Sequence, residues 1–287
     1  MTLSLNNLTF IIVTFKSEYI IHECIESLPK NSNIIVIENS NNSELKKTLE
    51  EKYSKIKVIV QENSGMGSAN NKGIKLCKTD YAFVINPDVK FYEDTLQELI
   101  SFSSKHNDYS ILAPISDDIE YPNYKIMNKK LINNNPDYLS VDSVDGFAML
   151  LNKNKFNDNI YFDENFFLYL ENDDLCLRKK KEKRKIYVVK KAKINHLGGK
   201  SPSVIYEKEI EYSRNWHWMW SKFYFNKKHY GYLKAFLSTF PTLLTSIIKL
   251  LYYFITFNKY KKKIYIMRFL GLINSMLGKK SLHRPQI

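Results

Sequence analysis

Cysteine is scarce in this chain of 287 residues, which has only three: Cys24, Cys77 and Cys176. Their number is odd and they lie far apart, so they predict neither a disulfide framework nor a pair spaced for a metal. Free thiols in this number are typical of a protein kept in a reducing cytosol.

A third glycine is missing where a dinucleotide-binding fingerprint needs one. Gly65 and Gly67 are followed by Asn70 at the third position, and the loop comes after the third expected strand instead of the first. A hydride-transfer dehydrogenase is therefore disfavoured, since that fingerprint follows the first strand of its fold.

Acidic residues are almost absent from the C-terminal part. Residues 176–287 hold 26 Lys/Arg and 4 Asp/Glu, a net charge of +22, whereas residues 1–175 hold 17 and 26, a net charge of −9. We expect cation-dependent chemistry in the acidic part and an anionic partner for the basic part.

Short apolar runs alternate with helical patterns over the first ninety residues. Strands are expected at residues 8–15, 33–38, 56–60 and 81–86, and helices at 18–28, 43–53 and after the glycine loop at 63–73. Polar residues follow the first run at once, which favours a buried strand over a signal peptide. The alternation predicts an α/β fold with a mostly parallel sheet flanked by helices.

Polar residues stand where these strands end, and ligands of such sheets bind at the carboxyl ends of strands. They are Thr14, Glu38, Asn39, Asn63 and Asp88. Each has a plain structural alternative as a strand end or turn, because Asn and Asp favour turns.

Asn86-Pro87-Asp88 is the more informative of these strand ends. Proline biases Asn86 towards extended geometry and ends the strand, which leaves Asp88 exposed at the edge of the sheet. A carboxylate there is a reasonable ligand for a cation bound to a diphosphate.

An apolar run from Asn165 ends in three carboxylates, Glu171, Asp173 and Asp174. Like charges packed together raise one another's pKa, which a working site tolerates better than a structural turn. At helical spacing Glu171, Asp174 and Arg178 share one face. The alternative is an acidic helix start capped by Asp173 or Asp174.

Taken in order, these pieces resemble the inverting family 2 glycosyltransferases over about residues 8–225. The resemblance is to the rhamnosyltransferase-like branch of bacterial surface-polysaccharide enzymes. Besides the residues above, it rests on Asn63-x-Gly65-x-Gly67-x-x-Asn70-Asn71-x-Gly73, Val144-Asp145-Gly146-Phe147-Ala148-Met149, Phe167-x-Tyr169-x-Glu171-x-x-Asp174-Leu175-Cys176-x-Arg178 and His196-x-Gly198-Gly199-x-Ser201.

The resemblance implies a GT-A fold that binds a nucleotide-diphosphate sugar and usually Mg²⁺ or Mn²⁺. It implies that Thr14, Glu38 and Asn39 contact the base and ribose, and that Asn63 and Asn70 support the nucleotide pocket.

The resemblance also implies the metal and sugar positions. Asp88 matches the last acidic residue of the family's D-x-D-type metal site, whose first position here is Asn86. His196 is then the expected second metal ligand, its alternative being a satisfied histidine at a strand end. Asp145 and Gly146 match the segment beneath the donor sugar and acceptor.

Inverting transfer requires a base for the acceptor hydroxyl. The resemblance places the base in an acidic pair, which in the family is often Glu-Asp. In this chain the pair is Glu171-Asn172, and the amide of Asn172 cannot act as a base. We predict Glu171 as the base, with Asp174 either an alternative base or a partner orienting Arg178, which is expected at the donor site.

The C-terminal residues differ from the rest. Residues 212–225 are aromatic and predicted helical, and residues 235–257 are largely apolar, interrupted by Pro241 and Lys249. A helix of that length, ~35 Å, could cross a membrane. However, Lys249 and basic residues on both flanks favour interfacial attachment to anionic lipid. Two alternatives stay open for residues 235–257: a helix that spans the membrane, and an ordinary buried helix hairpin.

We therefore expect a glycosyltransferase domain at residues 1–226 and a helical, membrane-associating extension at 227–287. The expected place is the cytoplasmic face of the plasma membrane, with a glycan or lipid-linked glycan as acceptor. A catalytically inactive sugar-binding or scaffold protein is the alternative. No nucleic-acid partner is expected, because the chain lacks an RNP-type strand, zinc spacing and a recognition-helix pattern.

Overall fold

The computed structural model describes residues 2–127, 135–156, 159–197 and 204–285. Contacts divide the chain into two units. The first unit comprises Met1–Asp163 and Asn172–Ser203, and the second comprises Glu164–Glu171 and Val204–Ile287. Each is described by itself.

The first unit contains eleven strands and five helices in its described part. The strands are β1 (Leu8–Thr14), β2 (Asn33–Glu38), β3 (Ile56–Val60), β4 (Tyr81–Ile85), β5 (Val89–Phe91), β6 (Tyr109–Ser116), β7 (Tyr124–Lys125), β8 (Tyr138–Ser140), β9 (Ser143–Val144), β10 (Ala148–Asn152) and β11 (Lys185–His196). The helices are α1 (Ile21–Ser27), α2 (Ser43–Lys52), α3 (Met66–Leu76), α4 (Thr95–Lys105) and α5 (Glu171–Lys181), whose first residue groups with the second unit.

Most strands join one sheet, in the order β3-β2-β1-β4-β10-β6-β11-β5, with β8 on β11. The pairs β1–β2, β2–β3, β1–β4 and β6–β11 are parallel, whereas β10, β5 and β8 pair antiparallel to their neighbours. The predicted α/β fold with a mostly parallel sheet is therefore confirmed.

Helices cover both faces of this sheet because its central strands are apolar on both sides. In β1, Phe10 and Ile12 pack in the core shared with α1, α2 and α4, and Ile11 and Val13 pack in the core shared with α3 and α5. This follows from the period-two alternation of side chains along a strand. Gly73 lets α3 approach β1 closely, since a Cβ there would overlap Ile11.

All three cysteines are free, as the sequence indicated, and the structure shows that they are also buried. Cys24 belongs to the core on the α1 side of the sheet, and Cys77 and Cys176 belong to the core on the other side. Burial raises the pKa of the Cys24 thiol, and it raises that of Cys176 to about 12. Burial therefore keeps Cys24 and Cys176 as neutral thiols.

The second unit is built from three helices, α6 (Glu207–Tyr230), α7 (Tyr232–Ile255) and α8 (Lys259–Met276), in addition to residues 164–170. Gly231, with φ of 88°, separates α6 from α7. The domain boundary expected after residue 226 lies within the range of α6 and stays a prediction. By contacts, α6 groups with α7 and α8, along which it packs.

Helix α7 has its large apolar side chains on the outside. Its buried stripe consists of small or hydroxyl-bearing residues, Ala235, Thr239 and Ser246. Exposed along the rest of the helix are Leu233, Leu237, Phe240, Leu244, Ile248, Leu251, Phe254 and Ile255. Among the described residues, α7 is the one helix long and apolar enough to cross a membrane.

We expect Gly271→Ala to destabilise the second unit. A Cβ at this position of α8 would overlap the backbone carbonyl of Trp216 in α6, and backbone yields less readily than a side chain. The expected loss is about 1–3 kcal/mol of unfolding free energy, measured by denaturant unfolding. Leu270→Ala, at an exposed neighbour, is the control. Equal stability of Gly271→Ala and wild type would contradict this packing.

Candidate active site

A tight turn between β4 and β5 places Asp88 at the carboxyl end of the parallel strands. The Val89 amide donates to the Asn86 carbonyl at 3.2 Å, and Pro87 occupies the second turn position, where its fixed φ is favourable. The sequence predicted an exposed Asp88 at the end of the strand, and this was wrong, because only 2% of the residue is accessible to solvent. A buried carboxylate requires compensation by a partner or a ligand.

The pairing of β11 with β5 brings His196 to Asp88. His196 stands opposite Val89 in the register, and the Leu197 amide donates to the Asp88 carbonyl at 3.1 Å. The His196 Nε2 atom lies 3.5 Å from Asp88 Oδ1. Phe147 stacks on the imidazole with ring centroids 3.8 Å apart, which fixes the plane of the ring. Two residues 108 positions apart in sequence thus become neighbours.

This pair suits a divalent cation. Asp88 Oδ1 is buried, and among the described residues it has no hydrogen-bond partner, since 3.5 Å is too long for a good hydrogen bond. Carboxylate oxygen and imidazole nitrogen are both good ligands for Mn²⁺. No group of three or more His, Cys, Asp or Glu in the described part of the chain could hold a metal. The remaining ligands would be phosphate oxygens and water, as is usual for Mg²⁺.

Two predicted nucleotide residues also present buried polar atoms. Thr14 ends β1, the neighbour of β4, and Asn70 lies on α3. Thr14 Oγ1 and Asn70 Oδ1 are inaccessible to solvent and lack hydrogen-bond partners in the part of the chain that the structure describes. An unsatisfied buried group costs about 1–3 kcal/mol, which a polar ligand would recover.

The carboxylate of Glu38 forms hydrogen bonds within the turn that follows β2. Its Oε1 accepts hydrogen bonds from the Ser40 amide at 3.0 Å and the Ser40 hydroxyl at 2.5 Å, and its Oε2 accepts from the Asn42 amide at 2.5 Å. The side chain is fully buried. Glu38 therefore shapes the end of β2, and its contact with a base or ribose stays a prediction.

Asn39 and Asn63 join the ends of β2 and β3. The Asn39 Nδ2 donates to Asn63 Oδ1 at 3.1 Å, and Asn39 Oδ1 accepts from Gln61 Nε2 at 2.8 Å and from the Ser64 amide at 3.1 Å. Asn63 Oδ1 also accepts from the amide of Gly65, just before α3. The network fixes the loop that leads into α3, and the nucleotide contacts expected for Asn39 and Asn63 stay predictions.

Asp145 and Gly146 follow the small ribbon formed by β7 and β9. The Asp145 amide donates to the Asn123 carbonyl at 2.9 Å. Burial raises the pKa of the Asp145 carboxyl, and the nearby charge of Lys125 opposes the rise. Asn172, next to Glu171, donates from Nδ2 to the Val144 carbonyl at 2.9 Å. An amide at position 172 thus holds the strand that precedes Asp145.

Asp173 ties this ribbon to α5. Its Oδ1 accepts from the Ser143 hydroxyl on β9 at 2.6 Å, and its Oδ2 lies 2.7 Å from Lys125 Nζ on β7. From the sequence, Asp173 was expected only as a possible helix cap, and no role was predicted for Lys125 or Phe147. Phe147 belongs to the motif at residues 144–149, so the resemblance could have indicated it. Lys125 lies on β7, and a strand of two residues is too short to show a periodic pattern in the sequence.

Helix α5 begins at Glu171, so Asp173 and Asp174 lie inside it and neither is its cap. Asp174 is fully buried and its Oδ2 accepts from Arg178 Nε at 2.9 Å. Arg178 also donates to the carbonyls of Ile160 and Tyr161. The structure brings Asp174 and Arg178 together as a structural pair. Glu171 is 7% exposed and closes the segment Glu164–Glu171 of the second unit.

Three residues of the final quoted motif, Gly198, Gly199 and Ser201, lie outside the described residues. His196 is therefore the part of that motif whose position is known.

Comparison with known proteins identifies the class. The family described as glycosyl transferase family 2 matches residues 9–159, more than half of the chain, and the chain belongs to this family. It is 26% identical to the low-salt glycan biosynthesis hexosyltransferase Agl10 of Haloferax volcanii over 206 residues, which are 62% of this chain and 63% of that protein. The chain thus spans less than two thirds of that relative.

Solved structures show the same fold. GalNAc-T7, crystallised with UDP, GalNAc and Mn²⁺, has a TM-score of 0.56 and 15% identity over 74% of this chain and 51% of that one. Residues 1–349 of TarS from S. aureus have a TM-score of 0.51 and 15% identity, covering 95% of this chain and 92% of that one. The sheet and its helices are GT-A-like.

We expect Asp174→Asn to cost about 3–5 kcal/mol of unfolding free energy, because the charge of Arg178 loses its buried anionic partner. Thermal and denaturant unfolding measure this loss. Glu51→Gln, which removes an exposed i,i+4 ion pair with Lys47, is the control and should change stability by less than about 1 kcal/mol. A stable Asp174→Asn protein would contradict the structural role and return Asp174 to the candidate bases.

Proposed function

We propose that this protein transfers a sugar from a nucleotide-diphosphate sugar to a glycan or lipid-linked glycan, with inversion at the anomeric carbon. The reaction belongs to the synthesis of a surface polysaccharide or glycoconjugate, and the sugar is a hexose or rhamnose. The observation that carries the proposal is the pair formed by the buried Asp88 and the partly exposed His196 at the carboxyl ends of the strands, with one carboxylate oxygen lacking a hydrogen bond among the described residues.

The donor would lie along the carboxyl ends of β1, β2 and β4. Thr14 and Asn70 offer it unsatisfied polar atoms, while Glu38, Asn39 and Asn63 keep the surrounding loops in place. Asp145 and Gly146 would lie beneath the sugar, at the end of the ribbon that Asp173 holds. We assign Arg178 to support of this site through Asp174 instead of to direct contact with the donor.

Asp88 and His196 would hold a divalent cation, Mg²⁺ or Mn²⁺, together with the diphosphate. Such a cation, when bound, neutralises negative charge on the departing diphosphate. The GalNAc-T7 structure with Mn²⁺ and UDP supports this reading, as it has the same fold.

Glu171 is the base in this proposal. Its carboxylate takes the proton of the acceptor hydroxyl as the oxygen attacks the anomeric carbon from the face opposite the diphosphate. The new glycosidic bond forms as the bond to the diphosphate oxygen breaks, and the electron pair leaves with the nucleoside diphosphate. Asp174 is a poorer candidate, because it is fully buried and paired with Arg178.

The second unit would attach peripherally to an anionic membrane at its cytoplasmic face, where lipid-linked acceptors are available. Helix α7 turns small residues inward and large apolar residues outward, the reverse of a helix in a water-soluble bundle. Basic residues flank it on both sides: Lys227, Lys228 and Lys234, then Lys259, Lys261 and Lys262. This combination suits a helix lying in the interface of anionic lipid.

For helix α7, crossing the membrane is less favourable than lying in the membrane interface. Lys249 is an exposed cation well inside α7 and would be costly in hydrocarbon. An interfacial helix keeps both basic flanks at the same surface, whereas a spanning helix places one of them on the opposite side.

Donor turnover tests the transferase. With a panel of nucleotide-sugars and Mn²⁺ or Mg²⁺, the wild-type chain should release nucleotide from one donor, and EDTA should stop it. Asp88→Asn should lose metal-dependent nucleotide binding, whereas Glu171→Gln should bind normally and lose about 10²–10⁴-fold in kcat. Asp94→Asn, at an exposed carboxylate, is the control. If the chain binds a donor in a metal-dependent way but shows no turnover with any acceptor mixture, the result would favour the alternative that it is a catalytically inactive sugar-binding protein.

Vesicle cosedimentation tests the membrane surface. The chain should bind vesicles of phosphatidylglycerol and phosphatidylcholine in equal parts and should not bind phosphatidylcholine alone. Leu237→Glu and Leu244→Glu should each weaken binding about tenfold or more, since burial of a leucine contributes roughly 1.5–3 kcal/mol. The control is Leu76→Glu, at a partly exposed leucine of the first unit. Unchanged binding by the α7 variants would exclude α7 as the attachment helix.

A further inference from the structure

The segment that ends at Glu171 is held by α6. Phe166 meets Tyr224 edge-on at 4.9 Å between ring centroids, and Phe167 stacks on His217 at 4.4 Å. The Ser221 hydroxyl donates to the Leu168 carbonyl at 2.8 Å. These three α6 residues lie at positions i, i+4 and i+7, so one face of the helix carries all three contacts.

The last two residues before Glu171 have an unfavourable backbone conformation. Tyr169 and Leu170 have φ of 70° and 67°, in the left-handed region that non-glycine residues rarely adopt. Such residues cost of order 1–3 kcal/mol each and persist only where their surroundings hold them. Tyr169 is held edge-on against Trp218 of α6, with centroids 5.4 Å apart. The backbone path of the segment that ends at Glu171 therefore depends on packing against α6.

The C-terminal tail, residues 279–284, completes this packing through His217. His217 Nε2 lies 2.9 Å from the His283 carbonyl and Nδ1 lies 2.9 Å from the Ser281 hydroxyl. Burial lowers the pKa of His217 to about 3, so the ring is neutral. A carbonyl only accepts, hence Nε2 carries the proton and Nδ1 accepts from Ser281. One imidazole thus joins the tail to the ring of Phe167.

Arg284 joins the tail to the same phenyl ring directly. Its guanidinium lies 3.7 Å from the centroid of Phe167, a close cation–π contact. Its Nη1 also donates to the carbonyls of Ser281 and His283 at 2.9 and 2.8 Å. Phe167 is thereby enclosed between His217 and Arg284. The Trp220 indole fastens the start of the tail by donating to the Lys279 carbonyl at 2.9 Å.

We propose that the C-terminal tail is a positioning element for catalysis: through Arg284 and His217 it clamps Phe167 and so fixes the strained segment that presents Glu171. Neither residue needs to touch substrate, so both are positioning residues. The inference rests on the proposed function, in which Glu171 is the base.

Arg284→Ala tests the clamp in the full chain. We expect kcat to fall about tenfold or more, because small misplacements of a catalytic group are costly, while the Kd of the donor nucleotide stays unchanged. In the Glu171→Gln background the same substitution should have no further effect, since the positioned group is already absent. Arg184→Ala, an arginine of the first unit, is the matched control. Hydrogen exchange at Tyr169–Glu171 should be faster in Arg284→Ala than in wild type.

An equal loss of kcat in both backgrounds, or no change in kcat and exchange, would overturn the clamp. Arg284→Lys keeps the charge but not the planar stacking group, so it permits the same comparison if the alanine variant does not fold. Absence of turnover by wild type with every donor would overturn the proposed function itself, whereas wild-type turnover that Arg284→Ala leaves intact overturns the clamp alone.

Discussion

The path of β11 brings His196 beside Asp88, the pair that is proposed to bind a cation. The strand pairs parallel with β6 as far as Ile194, with a register shift between Val189 and Lys193, and its last residues also pair antiparallel with β5 on the other edge. Val189 stands opposite Pro114, which has no amide hydrogen to continue the ladder. The pairing with β5 places the end of β11 beside the turn after β4. His196 reaches Asp88 by this backbone geometry, and the aromatic ring of Phe147 then fixes the imidazole.

The second unit combines two kinds of surface on neighbouring helices. Helix α6 uses aromatic and hydroxyl side chains to hold residues 166–170 and the C-terminal tail, and α8 approaches it closely at Gly271. Helix α7 packs through small residues and turns its apolar bulk outward. A membrane would thus meet one helix of the unit while another helix supports the proposed base. Under the proposed function, support of the base and attachment to the membrane would be divided between helices with different packing requirements.

Sequence patterns predicted the fold well, because apolar strands of five to seven residues and the helices between them have clear periodicities. Asp88 and His196 were paired by resemblance, and the register of β5 and β11 brings them together. The sequence did not reveal that Asp174 would be buried against Arg178, since a charge pattern does not report burial. The clamp on Phe167 was equally hidden, because its partners His217 and Arg284 lie far away in sequence and form no periodic pattern with it.

The buried cysteines give the two sides of the sheet separate chemical labels. Cys24 lies in the core that contains α1, α2 and α4, and Cys77 and Cys176 lie in the opposite core. A thiol reagent reacts with the thiolate and must reach the sulfur atom. Each cysteine therefore reacts only when the core on its side of the sheet opens by local unfolding. Alkylation rates at the three positions would therefore show whether the layers on the two sides of the sheet open together or one before the other, without any introduced probe.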